Sequence, residues 1–91
     1  MIKNVHILIS GDVTGVGYRS WTLQNAKRLG LVGWVRNIDK GKVEAVFEGE
    51  EAKIKEMIEL CKKGPEVAWV KKVEMEWNSV IEDYKDFTLK F

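Results

Sequence analysis

The chain has 91 residues, 45% of them hydrophobic and 32% charged; that is enough apolar material for one small core, under a surface richer in ions than the roughly 25% charge of an average domain. Fifteen Lys and Arg against fourteen Asp and Glu leave a formal charge of +1, so no general field draws the chain to nucleic acid or to an anionic membrane, and any anion site has to be built locally. The single cysteine, Cys61, excludes an intrachain disulfide framework and a four-cysteine zinc site.

Near the start, Val5, Ile7 and Ile9 alternate with His6, Leu8 and Ser10, the period-two pattern of a half-buried strand. The opening stretch has no small-residue cleavage signal, and no apolar run nears the roughly 20 residues that span a bilayer. With the cysteine usage, this gives a cytoplasmic expectation. A glycine-rich loop follows, then a helix from about Tyr18 to Leu29 with Thr22, Ala26 and Leu29 at helical spacing and Gly30 at the stop position. "LVGWVRNI" and "KVEAVFEG" read as two strands joined by "DKG", where Gly41 supplies a positive φ. In the second of them Val43, Ala45 and Phe47 share one face and Glu44, Val46 and Glu48 the other, so one sheet face is expected to be wet.

Glu50 to Lys63 sets Ile54, Met57, Ile58 and Cys61 at i, i+3, i+4 and i+7, a second amphipathic helix ended by Gly64-Pro65. A long strand follows from about Ala68 to Trp77, with Val73, Met75 and Trp77 alternating against Glu74 and Glu76. Its parity breaks at Lys71-Lys72, which predicts a bulge or a bend. Phe87, Leu89 and Phe91 close the chain as a short strand. One domain over residues 1–91 is expected. The order strand, helix, strand, strand, helix, strand, plus a C-terminal strand, predicts an α+β ferredoxin-like sandwich. Two helices would cover one face of a mainly antiparallel sheet of four to five strands.

The stretch with chemical content is "GDVTGVGYR", Gly11 to Arg19. A glycine-rich turn from strand to helix exposes successive backbone N–H groups, and a concave set of such donors at a helix N-terminus binds phosphate-like anions. Gly11, Gly15 and Gly17 suit that task. No G-K-[ST] follows, and Ser20 stands where a dinucleotide fingerprint needs its third glycine, so ATP and NAD are poor ligands for this loop. Arg19, in the first helical turn, is a planar cation able to grip phosphate oxygens by two parallel hydrogen bonds. It faces the positive end of the helix dipole, a position that calls for a shared anion or a local acid. Asp12 is the acid at hand. A tight turn without a ligand is the plainer reading of the same glycines.

"GDVTGVGYR", followed by "GWVRN" and "KGKVEAVFEGE", resembles the acylphosphatase family over nearly the whole chain. The shared pattern rests on Gly11, Val13, Gly15, Val16, Tyr18 and Arg19, on Gly33 to Asn37, and on Gly41 and Val43. The resemblance implies a ferredoxin-like fold and hydrolysis of acyl phosphates to a carboxylate and inorganic phosphate, with no metal and no organic cofactor. It also implies that Arg19 and the backbone N–H groups of Thr14, Gly15, Val16, Gly17 and Tyr18 hold the phosphoryl group, and that Asn37 orients the attacking water. Two positions depart from the family's habit: Asp12 replaces a basic residue and Thr14 a glutamine. A carboxylate beside an anion loop weakens phosphate binding unless it points away or pairs with Arg19 or Arg36.

The partner expected is a small acyl phosphate, with no nucleic acid or membrane, and the chain is expected to be a monomer. An RNA-binding module shares this element order, but "KVEAVFEG" lacks paired exposed aromatics and carries glutamates that repel phosphates. A non-catalytic anion-binding regulatory domain is the other alternative. His6 reads as a sheet-surface residue without an acidic partner at ligand spacing, Cys61 as a core residue, and Glu44/Glu48 and Glu74/Glu76 as a solvated face. Trp21 or Trp34 is placed at the mouth of the anion site; packing accounts for the other tryptophans.

Overall fold

The computed structural model describes residues 1–90; Phe91, read from sequence as the end of the last strand, lies outside the described residues. Strand β1 (Ile2–Asp12) takes an interior place that its alternation suits, with Val5, Ile7 and Ile9 fully buried. It pairs antiparallel with β3 (Lys42–Glu50) on one side and with β4 (Trp69–Asn78) on the other. Strand β2 (Val32–Ile38) runs antiparallel to β3, and the short β5 (Phe87–Leu89) joins the free edge of β2 in parallel. The sheet order is β4-β1-β3-β2-β5. Helices α1 (Tyr18–Arg28) and α2 (Glu51–Lys63) cover one face, giving the ferredoxin-like α+β fold that the element order predicts.

The core lies between those helices and the sheet. From α2 it takes the helical stripe Ile54, Met57, Ile58 and Cys61; from α1, Tyr18, Thr22 and Ala26. Phe87 stacks on Phe47 with ring centroids 5.4 Å apart, so the short β5 is held by an aromatic anchor as well as by its ladder. In the β2–β3 hairpin a 3-10 turn spans Asp39–Gly41, and Lys40 joins Gly41 at positive φ.

The bulge expected near Lys71-Lys72 is present. Ser10 pairs with Lys72 and Gly11 with Val70, which leaves Lys71 as the extra residue. This corrects the reading of Gly11. Its ideal Cβ would stand 2.2 Å from the Trp69 carbonyl oxygen and 2.7 Å from the Lys71 nitrogen, so the close approach of β4 at the bulge requires glycine there, and the anion loop does not.

The expectation of one wholly wet sheet face also fails. Residues 79–86 cross the open face from β4 to β5 and cover Glu48, which is 3% exposed, and Val46 on the same face is 6% exposed. The Glu48 carboxylate accepts hydrogen bonds from Asn4 Nδ2 (3.0 Å) and from the main-chain N–H groups of Glu82 (2.8 Å) and Tyr84 (3.1 Å). A carboxylate with three donors can be buried where an unpaired one could not.

Candidate active site

Between the end of β1 and the start of α1 the chain turns through residues 13–17, with Gly15 and Gly17 in the left-handed region at φ 74° and 78°. An added Cβ at either would meet nothing within 4 Å, so backbone conformation, rather than space, calls for glycine. Gly17 is the N-cap of α1, which has no side-chain cap and no acidic residue in its first turn. The first main-chain bond of the helix runs from Trp21 N–H to the Gly17 carbonyl at 3.0 Å. Gly17, Tyr18, Arg19 and Ser20 are therefore the four residues whose N–H groups the helix leaves without an intrahelical acceptor. All four line one hollow of about 80 Å³, together with Val13, Gly15 and Asn37. A single water needs roughly 10–15 Å³, so this space has room for a small oxyanion.

The hollow's far wall comes from β2. Asn37 shares strand parity with the fully buried Val35 and so projects on the helix-covered face, where β2 ends beside the loop. Arg36, of opposite parity, lies on the open face with its Nε 2.6 Å from Glu44. Of the residues read from sequence, Gly15, Gly17, Tyr18, Arg19 and Asn37 meet at the hollow. Thr14 and Val16 belong to the same loop but do not line it: Thr14 is exposed near the hairpin turn at Gly41, and Val16 packs on the core. Ser20 and Val13 are additions. Ser20 was findable, because the third residue of any helix has a spare N–H.

The Tyr18 side chain leaves the hollow altogether. It is 1% exposed and donates to the Cys61 carbonyl, 2.8 Å away in the last turn of α2. Burial, and secondarily the neighbouring Cys61, pushes its hydroxyl far above the usual phenol range, so it is a neutral anchor for the start of α1 rather than an acid or base. Burial pushes the Cys61 thiol up to about 12, which removes it as a nucleophile at neutral pH. Asp12 is exposed at the end of β1 opposite Trp69 and does not line the hollow. Arg36 is already engaged by Glu44.

Other sequence readings change at the open face. His6 does have an acidic partner: its Nε2 lies 2.6 Å from Glu44, which thereby bridges it to Arg36. Trp34 is not at the mouth of the hollow. It packs between Arg36 and Lys90, at 5.3 Å and 4.6 Å from its ring, and donates to the Tyr84 hydroxyl at 3.2 Å. Trp21 does not line the hollow either, and packs against Tyr18. Among the described residues no three His, Cys, Asp or Glu side chains gather as metal ligands would, and no helix is long and apolar enough to cross a membrane.

Comparison with known proteins places these features in context. The family model described as Acylphosphatase matches residues 5–89. An acylphosphatase of Anaeromyxobacter sp. is 40% identical over 89 residues, covering 98% of this chain and 96% of its own. The crystal structure of acylphosphatase from Bacillus subtilis superposes with a TM-score of 0.95 at 30% identity, each chain covered completely. The crystal structure of full-length HypF in the phosphate- and nucleotide-bound form matches with a TM-score of 0.91 at 30% identity, over all of this chain but 12% of that one.

Proposed function

The chain belongs to the acylphosphatase family, enzymes that hydrolyse acyl phosphates, and we propose that Arg19, Asn37 and the main chain of Gly15 and of Gly17 to Ser20 are the parts that perform this hydrolysis here. The observation that carries the reading is that the four residues with open helix-start N–H groups, Arg19 among them, line a single small hollow together with Asn37. In this reading the N–H groups and Arg19 hold the three non-bridging phosphoryl oxygens, whose charge they offset as the transfer proceeds. Asn37 hydrogen-bonds the incoming water and fixes it in line with the bond to be broken.

Water forms the new O–P bond as the P–O bond to the acyl group breaks. The electron pair leaves with the carboxylate, a stable anion that needs no protonation to depart. The amide of Asn37 cannot accept a proton at neutral pH, so the water's proton passes to the phosphoryl oxygens and leaves with inorganic phosphate. Positioning and charge stabilisation are thus the whole task, which suits a site of main-chain N–H groups, a guanidinium and an amide.

The test is steady-state hydrolysis of benzoyl phosphate with inorganic phosphate as inhibitor. The expected result is turnover with competitive inhibition by phosphate, and loss of both in Arg19→Ala. Turnover in Arg19→Ala equal to that of the unaltered protein would overturn the assignment of the cradle.

A further inference from the structure

Glu48 is a charged group buried in the sheet, remote from the hollow, and the hydrolysis just described does not use it. Burying a carboxylate is costly unless its donors compensate, and two of its three donors are main-chain N–H groups of the crossing segment 79–86. Asn4 extends the anchor: 1% exposed, it donates to Glu48 and accepts from Asn78 Nδ2 at 2.7 Å. One buried carboxylate therefore ties the entry and the middle of the crossing segment to β1 and β3.

What the segment delivers is β5. The Asp86 carbonyl accepts from Gly33 N–H at 3.0 Å and Lys90 N–H donates to the Val35 carbonyl at 2.9 Å, so β5 fixes the outer edge of β2 up to two residues before Asn37. Without it β2 would be the sheet's edge, free to fray from that side. The other half of the hollow has its own support. The start of α1 is held by the Tyr18 hydroxyl on the Cys61 carbonyl, and the loop by the buried Val13. The two walls thus answer to different anchors.

We infer that Glu48 is a positioning residue for the hydrolysis, acting through the crossing segment and β5 to hold the Asn37 end of β2 against the anion loop. The inference rests on the proposed role of Asn37. Loss of Glu48 then disturbs the water-orienting wall and spares the anion-holding one, so it separates turnover from phosphate binding.

The experiment measures kcat on benzoyl phosphate and the inhibition constant of inorganic phosphate for Glu48→Ala, Glu48→Gln and Asn78→Ala, at a temperature where circular dichroism shows each folded. In Glu48→Ala, kcat is expected to fall about tenfold, the scale of a small misplacement of a reacting group, with phosphate inhibition within about twofold of the original. Glu48→Gln, which keeps one of the two acceptor oxygens but sets an amide NH2 against the other main-chain N–H, is expected to restore kcat only in part. Asn78→Ala, which removes only the outer arm, is expected to show a smaller fall of the same kind and serves alone if Glu48→Ala does not fold. Unchanged kcat with only a lower melting temperature, or equal losses in kcat and phosphate binding, would overturn the inference. Asn37→Ala, assayed beside them, separates the two levels. If it turns over normally the underlying reading fails, whereas if it collapses and the Glu48 and Asn78 variants do not, only this inference fails.

Discussion

Asn37→Ala offers the sharpest test of the proposed chemistry because the fold asks little of this side chain. Asn37 is exposed, and among the described residues its amide makes no hydrogen bond. Surface substitutions of that kind change stability by about 0.5 kcal/mol or less, so the melting temperature should hardly move. In the transition state the amide is asked to fix the attacking water in line, and removing one such preorganised hydrogen-bonding group lowers kcat by about 10²–10³. At about 1.4 kcal/mol per tenfold, that is roughly 3–4 kcal/mol of lost transition-state stabilisation. The anion cradle stays intact in this variant, so inhibition by inorganic phosphate should stay within about twofold. The assay is hydrolysis of benzoyl phosphate at saturating substrate, with phosphate titrated in parallel. A kcat within about threefold of the original protein would refute the argument, since that is only about 0.6 kcal/mol.

Arg19→Lys keeps the charge but loses the paired hydrogen bonds of the guanidinium, and kcat/KM is expected to fall by about 10–100-fold with weaker phosphate inhibition; steady-state kinetics would show it. Gly15→Ala and Gly11→Ala should divide by readout. The first forces φ 74° on a residue with free space around it, costs about 1–2 kcal/mol and reduces activity, whereas the second drives Cβ into the β4 backbone and should destabilise more, as thermal unfolding would register. Asp12→Asn is expected to leave KM within about twofold, since the side chain lies outside the hollow; a clearly lower KM would place its charge within reach of the substrate. Burial raises the Glu44 carboxyl, but the hydrogen bonds from His6 and Arg36 and the charge of Arg36 outweigh it and hold the carboxyl below its ordinary 4.5. Its contribution to stability is therefore complete above that value and lost as pH falls through the lowered one, so Glu44→Gln should flatten the acid limb of a stability curve.

Local periodicity carried most of the fold. Val5, Ile7 and Ile9 alternate, Ile54 to Cys61 follow the helical repeat, and the parity break at Lys71 marks the bulge, because each pattern is set by which side of one element meets the core. The site was legible for a related reason. Gly15, Gly17 and Arg19 lie within five residues, and a loop entering a helix must leave N–H groups open. What stayed hidden depended on strands distant in sequence. Glu48 reads as solvated by alternation, and only Glu82 and Tyr84, 34 and 36 residues on, make it buried. Gly11 looks like one more loop glycine until β4 is laid beside it, and Glu44 becomes the partner of His6 only across the β1–β3 pairing.

The outer strand β4 bears on how the protein behaves in company with copies of itself. Ten residues long, with Trp69, Met75 and Trp77 exposed, it offers an unused row of main-chain groups on which foreign strands could grow. Lys71, Lys72, Glu74 and Glu76 interrupt that row with charge, and the extra residue at Lys71 twists it out of register. Any chain adding there would have to desolvate ions and follow a kinked template, so the same irregularity that demands glycine at position 11 also makes this edge a poorer template for strand addition.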